Sequence, residues 1–395
     1  MKLIIIPLVS KIHPANFYQS LINEVKKDVS PEFFHHEVTT INDLRVNLRE
    51  YDVVCLIFVT GGTSKLGLKL VENYDGNLIM LSHAMHNSLP SALSFRNRLT
   101  IKGRRILHLH ASNIESLKYY VDTLTNAINV INDLRKIRIG VIGRSKDEEY
   151  EKYTEIFGGT FIFISLNDIK QYFKDLEVIV NLTEILGEYN IRVEKKDLSR
   201  AAKVYLVIKR LIDEYKLDVI AVDCFNFINL FKLTPCLAFS IINSNGKIGV
   251  CEADYSMIPL MYISQKFTGK TGWIANIFDY NRNWIKAAHC TIPRNMVEKI
   301  IIDSHFETGL PAAIRGELKI GEYTLVTLSK DFKNMFIRKV KVSLPLHSKY
   351  ACRSQHLIIL RESPHDKLIN NHHLISTCDA TVFIIFSHLL GLSMT

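Results

Sequence analysis

Two α/β domains followed by a β-rich C-terminal domain is the fold class that this sequence predicts. Three observations carry the prediction. Short apolar runs alternate with amphipathic stretches through the first third, the alternation restarts near Arg135, and from about residue 271 apolar and polar residues alternate between frequent turn signals. Strand–helix alternation specifies parallel sheets covered by helices. Period-two alternation specifies an antiparallel sheet or small barrel. At 395 residues the chain exceeds one hydrophobic core, and its expected domains are 1–135, 136–270 and 271–395.

The elements follow in order. "KLIIIPLVS" reads as a buried strand, and "NFYQSLINEVKKDV" places apolar residues at helical spacing. "DVVCLIFVTGGT" is a second buried strand, ending in Gly61-Gly62-Thr63, followed by the helix "SKLGLKLVENY". "GNLIMLSH" is a strand stopping at His83, "NSLPSALSFRNRL" a helix, and "RRILHLHAS" a strand. In the second domain, "KIRIGVIGRS" opens as a strand and "DEEYEKYTEIFG" as a helix. "TFIFISL", the long helix "SRAAKVYLVIKRLIDEYK", the strand "DVIAVDCF" and a segment through "GKIGVCEADYS" complete it. The third domain alternates through "GELKIGEYTLVTLSKDFKNMFIRKVKVSLPL" and "SQHLIILRES" and closes on the apolar helix "ATVFIIFSHLLGL".

Composition excludes several classes. The chain is 47% hydrophobic and 23% charged, as ordinary globular proteins are. Its longest apolar runs are far shorter than a membrane span, and residues 1–9 lack a small-residue cleavage site. A cytoplasmic protein is expected. The net charge of +9 is scattered rather than clustered, and no helix pairs a basic cluster with a helix-turn-helix pattern, so nucleic acid is not the expected partner. Seven separated cysteines without a C-x-x-C pair indicate neither a disulfide framework nor a cysteine zinc site.

Chemistry-bearing residues gather at strand ends. Gly62 and Thr63 close a buried strand and open a helix, a turn that presents backbone N–H groups and a hydroxyl to a ligand. Asn87 and Ser88 sit at another strand end, where Ser88 also suits helix capping. "IGVIGRS" lacks the dinucleotide spacing, which excludes nicotinamide binding. Glu252 ends the apolar run "KIGVC", where ligand sites of parallel sheets form. Asp254 falls in a first helical turn and reads as a helix-start residue. His289 follows a predicted strand. His305 and Glu307, two apart, are expected to share one strand face. His372 and His373 are adjacent, so at most one faces a given pocket. Several histidines with a strand-end glutamate suit a mixed O/N divalent cation site.

The segments "VVCLIFVTGGT", "AMHNSLPSAL", "CEAD", "AHCTIP", "SHFETG", "CRSQ" and "NHH" occur in the order found in the L-fucose isomerase-like sugar isomerases, and the chain resembles their shorter branch. The resemblance spans essentially the whole chain and is strongest from Asp218 to Pro311. It implies two Rossmann-like, doubly wound α/β domains, a C-terminal domain with an antiparallel β-barrel, and a homo-oligomer, trimer or hexamer. It implies a divalent metal, usually Mn2+, held by two carboxylates and a histidine. A carboxylate then moves a proton between neighbouring carbons through a cis-enediol.

Carried over by position, Glu252 matches the glutamate that is ligand and acid/base, and His372 of "NHH" the histidine ligand. The second carboxylate falls on Asn276 in "GWIANIFDY", an amide that cannot ionise. Asp279 and His289 are the alternatives for completing the metal site. Gly62, Thr63, Asn87, Ser88, Cys224, His289, Asn371 and His373 are the implied substrate contacts. The expected function is a metal-dependent aldose–ketose isomerase acting on a sugar or sugar derivative. Its rivals are an epimerase or lyase on the same scaffold and a non-catalytic carbohydrate-binding protein.

Overall fold

The computed structural model describes residues 1–27, 29–175, 190–362, 364 and 368–395. The protein is mixed α/β, with two parallel sheets and a closed antiparallel barrel. Its residues form two compact units, Met1–Asn132 with His388–Leu390, and Asp133–Ser387 with Gly391–Thr395.

In the first unit, β1 (Leu3–Leu8), β2 (Val53–Phe58), β3 (Asn77–His83) and β4 (Ile106–Ala111) form a parallel sheet in sequence order. That order lacks the reversal of a doubly wound sheet. β1 and β2 are buried along their whole length, which is why their sequences are uninterrupted apolar runs. His388 is packed beneath this sheet and hydrogen-bonds through Nε2 to the Leu78 carbonyl at 3.0 Å.

In the second unit, β5 (Arg138–Ile142), β6 (Thr160–Ile164), β8 (Val219–Val222) and β9 (Ile248–Val250) form a parallel sheet in the order β6-β5-β8-β9. The intervening β7 (Asn190–Ile191) belongs to a side sheet with β12 (Val297–Asp303) and β13 (Ala313–Leu318). The strand order of the parallel sheet reverses between β5 and β8. Such a reversal opens a crevice beyond the carboxyl ends of the strands. The long helix Lys195–Tyr215 buries Val204, Val207 and Leu211 in the core beside this sheet.

The barrel contains β10 (Trp273–Tyr280), β11 (Trp284–His289), β14 (Gly321–Leu328), β15 (Asn334–Pro345), β16 (Ser354–Ile359) and β17 (His372–Ser376). The strands pair in the order β14-β17-β10-β11-β16-β15, and β15 pairs back onto β14 to close the ring. A short β18 (Ser393–Met394) runs parallel to β15. Trp273, Ala275, Ala287, Leu325, Phe336 and Ile375 pack in its core, the face that period-two alternation assigns to them.

One expected element is absent. His305 and Glu307 share no strand face, because they lie in the turn between β12 and β13. His305 closes that turn through its own backbone, from its N–H to Leu310 O at 2.7 Å and from Gly309 N–H to its carbonyl at 2.9 Å. Among the described residues no helix is long and apolar enough to cross a membrane.

Candidate active site

Glu252 stands at the carboxyl end of β9, in a turn that few side chains tolerate. Its φ is 56° and that of Ala253 is 45°, two consecutive left-handed residues neither of which is glycine. Each such residue costs about 1–2 kcal/mol, and strain of this kind persists where the surroundings over-determine it. Here both sides are fixed. The Glu252 N–H donates to Cys224 Sγ at 3.2 Å, and Arg144 Nη1 donates to the Ala253 carbonyl at 2.8 Å. Arg144 is itself held by Asp147 at 2.6 Å and Glu149 at 2.7 Å, and it lies 4.3 Å over the Tyr255 ring. The three contributors, Arg144, Cys224 and Glu252, follow β5, β8 and β9, the neighbouring strands around the reversal.

The turn presents the Glu252 carboxylate, 30% exposed, to the buried ring of His372, whose Nε2 is 3.7 Å from Oε1. That is an ion-pair distance, too long for a hydrogen bond, and Nε2 has no hydrogen-bond partner. The other ring nitrogen, Nδ1, donates to Asp254 Oδ2 at 2.7 Å. Asp254 Oδ1 accepts from the N–H and hydroxyl of Ser256 at 3.0 and 2.6 Å. Thr327 hydrogen-bonds the His372 carbonyl at 2.6 Å, and Asn370 bonds Ser256 at 2.9 Å. Nδ1 of the ring is therefore held toward Asp254.

Electrostatics follow from these contacts. Burial opposes the charge on His372, but the hydrogen bond to Asp254 and the nearby Glu252 carboxylate prevail and raise it to about 9. Burial likewise opposes ionisation of Glu252, yet His372 holds its carboxyl below the ordinary range. Glu252 and Asp254 thus share a single imidazolium.

His289 ends β11, with its ring centroid 5.6 Å from that of His372. Its Nδ1 accepts the Cys290 N–H at 2.9 Å and lies 3.1 Å from the Thr291 hydroxyl. Burial and the charge on His372 push it down to about 3, so the ring is neutral. Beneath Glu252, Cys251 Sγ and Cys224 Sγ are 3.0 Å apart. That contact and burial push the Cys251 thiol up. Among the described residues, one group of histidine, cysteine or acidic side chains is arranged to hold a metal ion: Cys251, Glu252 and His289, whose ligand atoms lie within 4.8 Å of one another.

The other expected site residues divide clearly. Asn276 pairs directly with His372 across β10 and β17, and so shares its sheet face, half-buried. Asp279 lies beyond a bulge, exposed and paired with Lys286 at 2.7 Å, and does not replace the missing carboxylate. His373 faces the opposite side of β17 from His372, buried near Phe336. Alternation removes it from the cluster. Cys224 is buried and accepts the Glu252 N–H, and Asn371 is exposed just ahead of β17. In the first unit, Thr63 is buried, its hydroxyl spent on Thr60 O at 2.9 Å and Ser91 at 3.0 Å. Ser88 is buried too, accepting from His83 N–H and donating to Phe58 O. Both are braces between strand ends. Gly62 and Asn87 are exposed, each with positive φ, at the carboxyl ends of β2 and β3.

Sequence reasoning missed Asp254 as the partner of His372, and missed Arg144, Ser256 and Asn370 altogether. Asp254 lies ahead of the helix Met257–Thr268 rather than in its first turn, in extended backbone, and binds Ser256, the residue that precedes the helix. Compared with known proteins, the chain matches no family model and no curated sequence.

Proposed function

We propose that this protein is a carbohydrate isomerase of the fucose isomerase-like type, in which Glu252 moves a proton between neighbouring carbons of an aldose or ketose. One observation carries the reading: an ionised, part-exposed carboxylate is presented by a strained turn at a strand end, between the buried rings of His372 and His289. Functional sites are where such strain and such shifted groups concentrate. The order of sequence motifs supports the substrate class. In the same reading the two parallel sheets are Rossmann-like layers, and the chain works in the cytoplasm as a homo-oligomer.

The manganese ion of that family needs two carboxylates and a histidine, and the residues here do not reproduce the set. His372 Nε2 and Glu252 supply two donors. The third position is Asn276, Asp279 is paired with Lys286, and both oxygens of Asp254 are engaged by His372 and Ser256. No step is therefore assigned to manganese. In the proposed reaction Glu252 takes the proton from the carbon next to the carbonyl, the C–H electron pair forms the enediol double bond, and the carbonyl oxygen gains a proton. Return of the proton from Glu252 to the former carbonyl carbon, with loss of the neighbouring hydroxyl proton, gives the isomer. His372 keeps Glu252 ionised before it takes the proton and after it returns it. A carboxylate held below its ordinary range is a weak base, so the reaction needs an electrophile on the substrate carbonyl.

Asn276 in place of a second carboxylate favours one further reading, an epimerase or lyase using the same proton abstraction. The test is incubation with aldoses, ketoses and sugar acids in deuterated water, followed by NMR. Deuterium beside the carbonyl, with the carbonyl relocated, supports the isomerase. Exchange with the carbonyl in place supports the epimerase. Absence of exchange on every compound, with and without divalent metals, overturns both.

A further inference from the structure

We propose that Cys251, Glu252 and His289 bind a zinc ion. The inference goes beyond the sugar reading, because it concerns what this donor set holds whatever the substrate is. It begins with the thiol. A site that combines sulfur, imidazole nitrogen and one carboxylate oxygen selects zinc, whereas manganese, magnesium and calcium are served by oxygen-rich sets. The disagreement with a two-carboxylate manganese site thereby becomes informative.

Geometry supports the set at several independent points. The ligand atoms of Cys251, Glu252 and His289 already lie within 4.8 Å of one another. Tetrahedral zinc separates its donors by about 3.3–3.8 Å, so closure by about 1 Å completes the site, and the part-exposed Glu252 side chain has room to rotate. His372 Nε2 is fully buried, without a partner, and 3.7 Å from Glu252 Oε1. An orphaned buried nitrogen of this kind carries the desolvation cost of an unmade bond.

The surrounding contacts are those that orient metal ligands. Asp254 holds Nδ1 of His372 and so directs Nε2 inward. The Cys290 N–H and Thr291 Oγ1, 2.9 and 3.1 Å from Nδ1 of His289, fix the orientation of that ring. Cys224 Sγ lies 3.0 Å from Cys251 Sγ and accepts the Glu252 N–H. On binding, the Cys251 thiol releases its proton to solvent, and no electron is transferred.

The experiment uses the full chain, purified without chelators and analysed for metals, then stripped and titrated with cobalt(II) as a spectroscopic probe. About one cobalt per chain is expected, with tetrahedral d–d bands and a thiolate-to-cobalt charge-transfer band. Cys251→Ser is expected to abolish the charge-transfer band and lower affinity at least about 10-fold, while Cys378→Ser retains both. Circular dichroism of each variant separates loss of a ligand from loss of fold. Failure to bind cobalt or zinc, a charge-transfer band unchanged in folded Cys251→Ser, or retention of manganese in preference to zinc overturns the proposal. Proton exchange on a sugar by protein that binds neither zinc nor cobalt overturns the zinc site and leaves the isomerase standing; bound zinc without any exchange does the reverse.

Discussion

Asp254 Oδ2 and His372 Nδ1 meet at 2.7 Å between two side chains that are 3% and 0% exposed, joining positions 118 residues apart in sequence. The pair ties the end of β9 to the start of β17. It fixes which nitrogen of His372 faces Glu252.

Removing one partner of a buried ion pair strands the other, which costs about 3–5 kcal/mol. Asp254→Asn is therefore expected to lower unfolding stability by that amount in denaturant titration. His372 should also lose its elevated protonation, which NMR of the imidazole reads directly. An unchanged midpoint would show that the pair contributes little.

Glu252→Gln keeps the shape of the side chain and removes its basicity. Solvent deuterium incorporation into a responding sugar should fall by about 10²–10⁴-fold, with the melting temperature nearly unchanged. Retained exchange would place the base elsewhere.

Arg144 clamps the strained turn from the far side. Arg144→Met leaves the Ala253 carbonyl and the half-buried Glu149 carboxylate without their donor, at an expected cost of about 1–3 kcal/mol. The turn loosens with it, so exchange activity should fall further than stability alone explains. Rates measured well below the melting transition check this.

Gly249 lies in β9, directly ahead of the site. A Cβ there would stand 2.5 Å from Cδ1 of Phe239, inside any tolerable contact. Gly249→Ala is expected to destabilise by about 1–3 kcal/mol through overpacking. Adding Phe239→Leu should recover part of the loss.

Acid should destabilise the fold through histidines buried neutral. Burial pushes His83, His356 and His388 down to about 4, from an ordinary value of 6.5. Between these values the unfolded chain binds protons that the folded chain refuses, so stability falls as pH falls from 6.5 and the decline flattens below about 4. Melting temperatures across that window test the sign. His388→Gln, whose amide still reaches Leu78 O, should flatten the slope by one proton.

Much of the framework was legible from local pattern. Uninterrupted apolar runs ending in polar residues marked β2, β3 and β9, because strands buried on both faces admit little else. Parity along β17 restricted the histidine doublet to one inward residue. What escaped prediction was long-range. Asp254 has a sufficient local explanation at a helix start, and nothing nearby in sequence points to His372. Arg144 was not singled out, because its partners Ala253 and Glu149 come from two different segments. The hydroxyls of Thr63 and Ser88 looked available, since the backbone groups that consume them lie on neighbouring strand ends. His305 and Glu307 satisfied a period-two test, but a run of three residues is too short for periodicity to separate strand from turn.

Closure of the barrel has a consequence for the site. β17 is hydrogen-bonded on one side to β10 and on the other to β14, so it cannot slide without breaking two ladders at once. A slip of one residue would turn His372 inward and deliver His373 to Glu252, an imidazole for an imidazole. Composition would not register the exchange, yet His372 would lose Asp254. Which of two chemically identical neighbours serves the site is thus decided by a closed ring of strands.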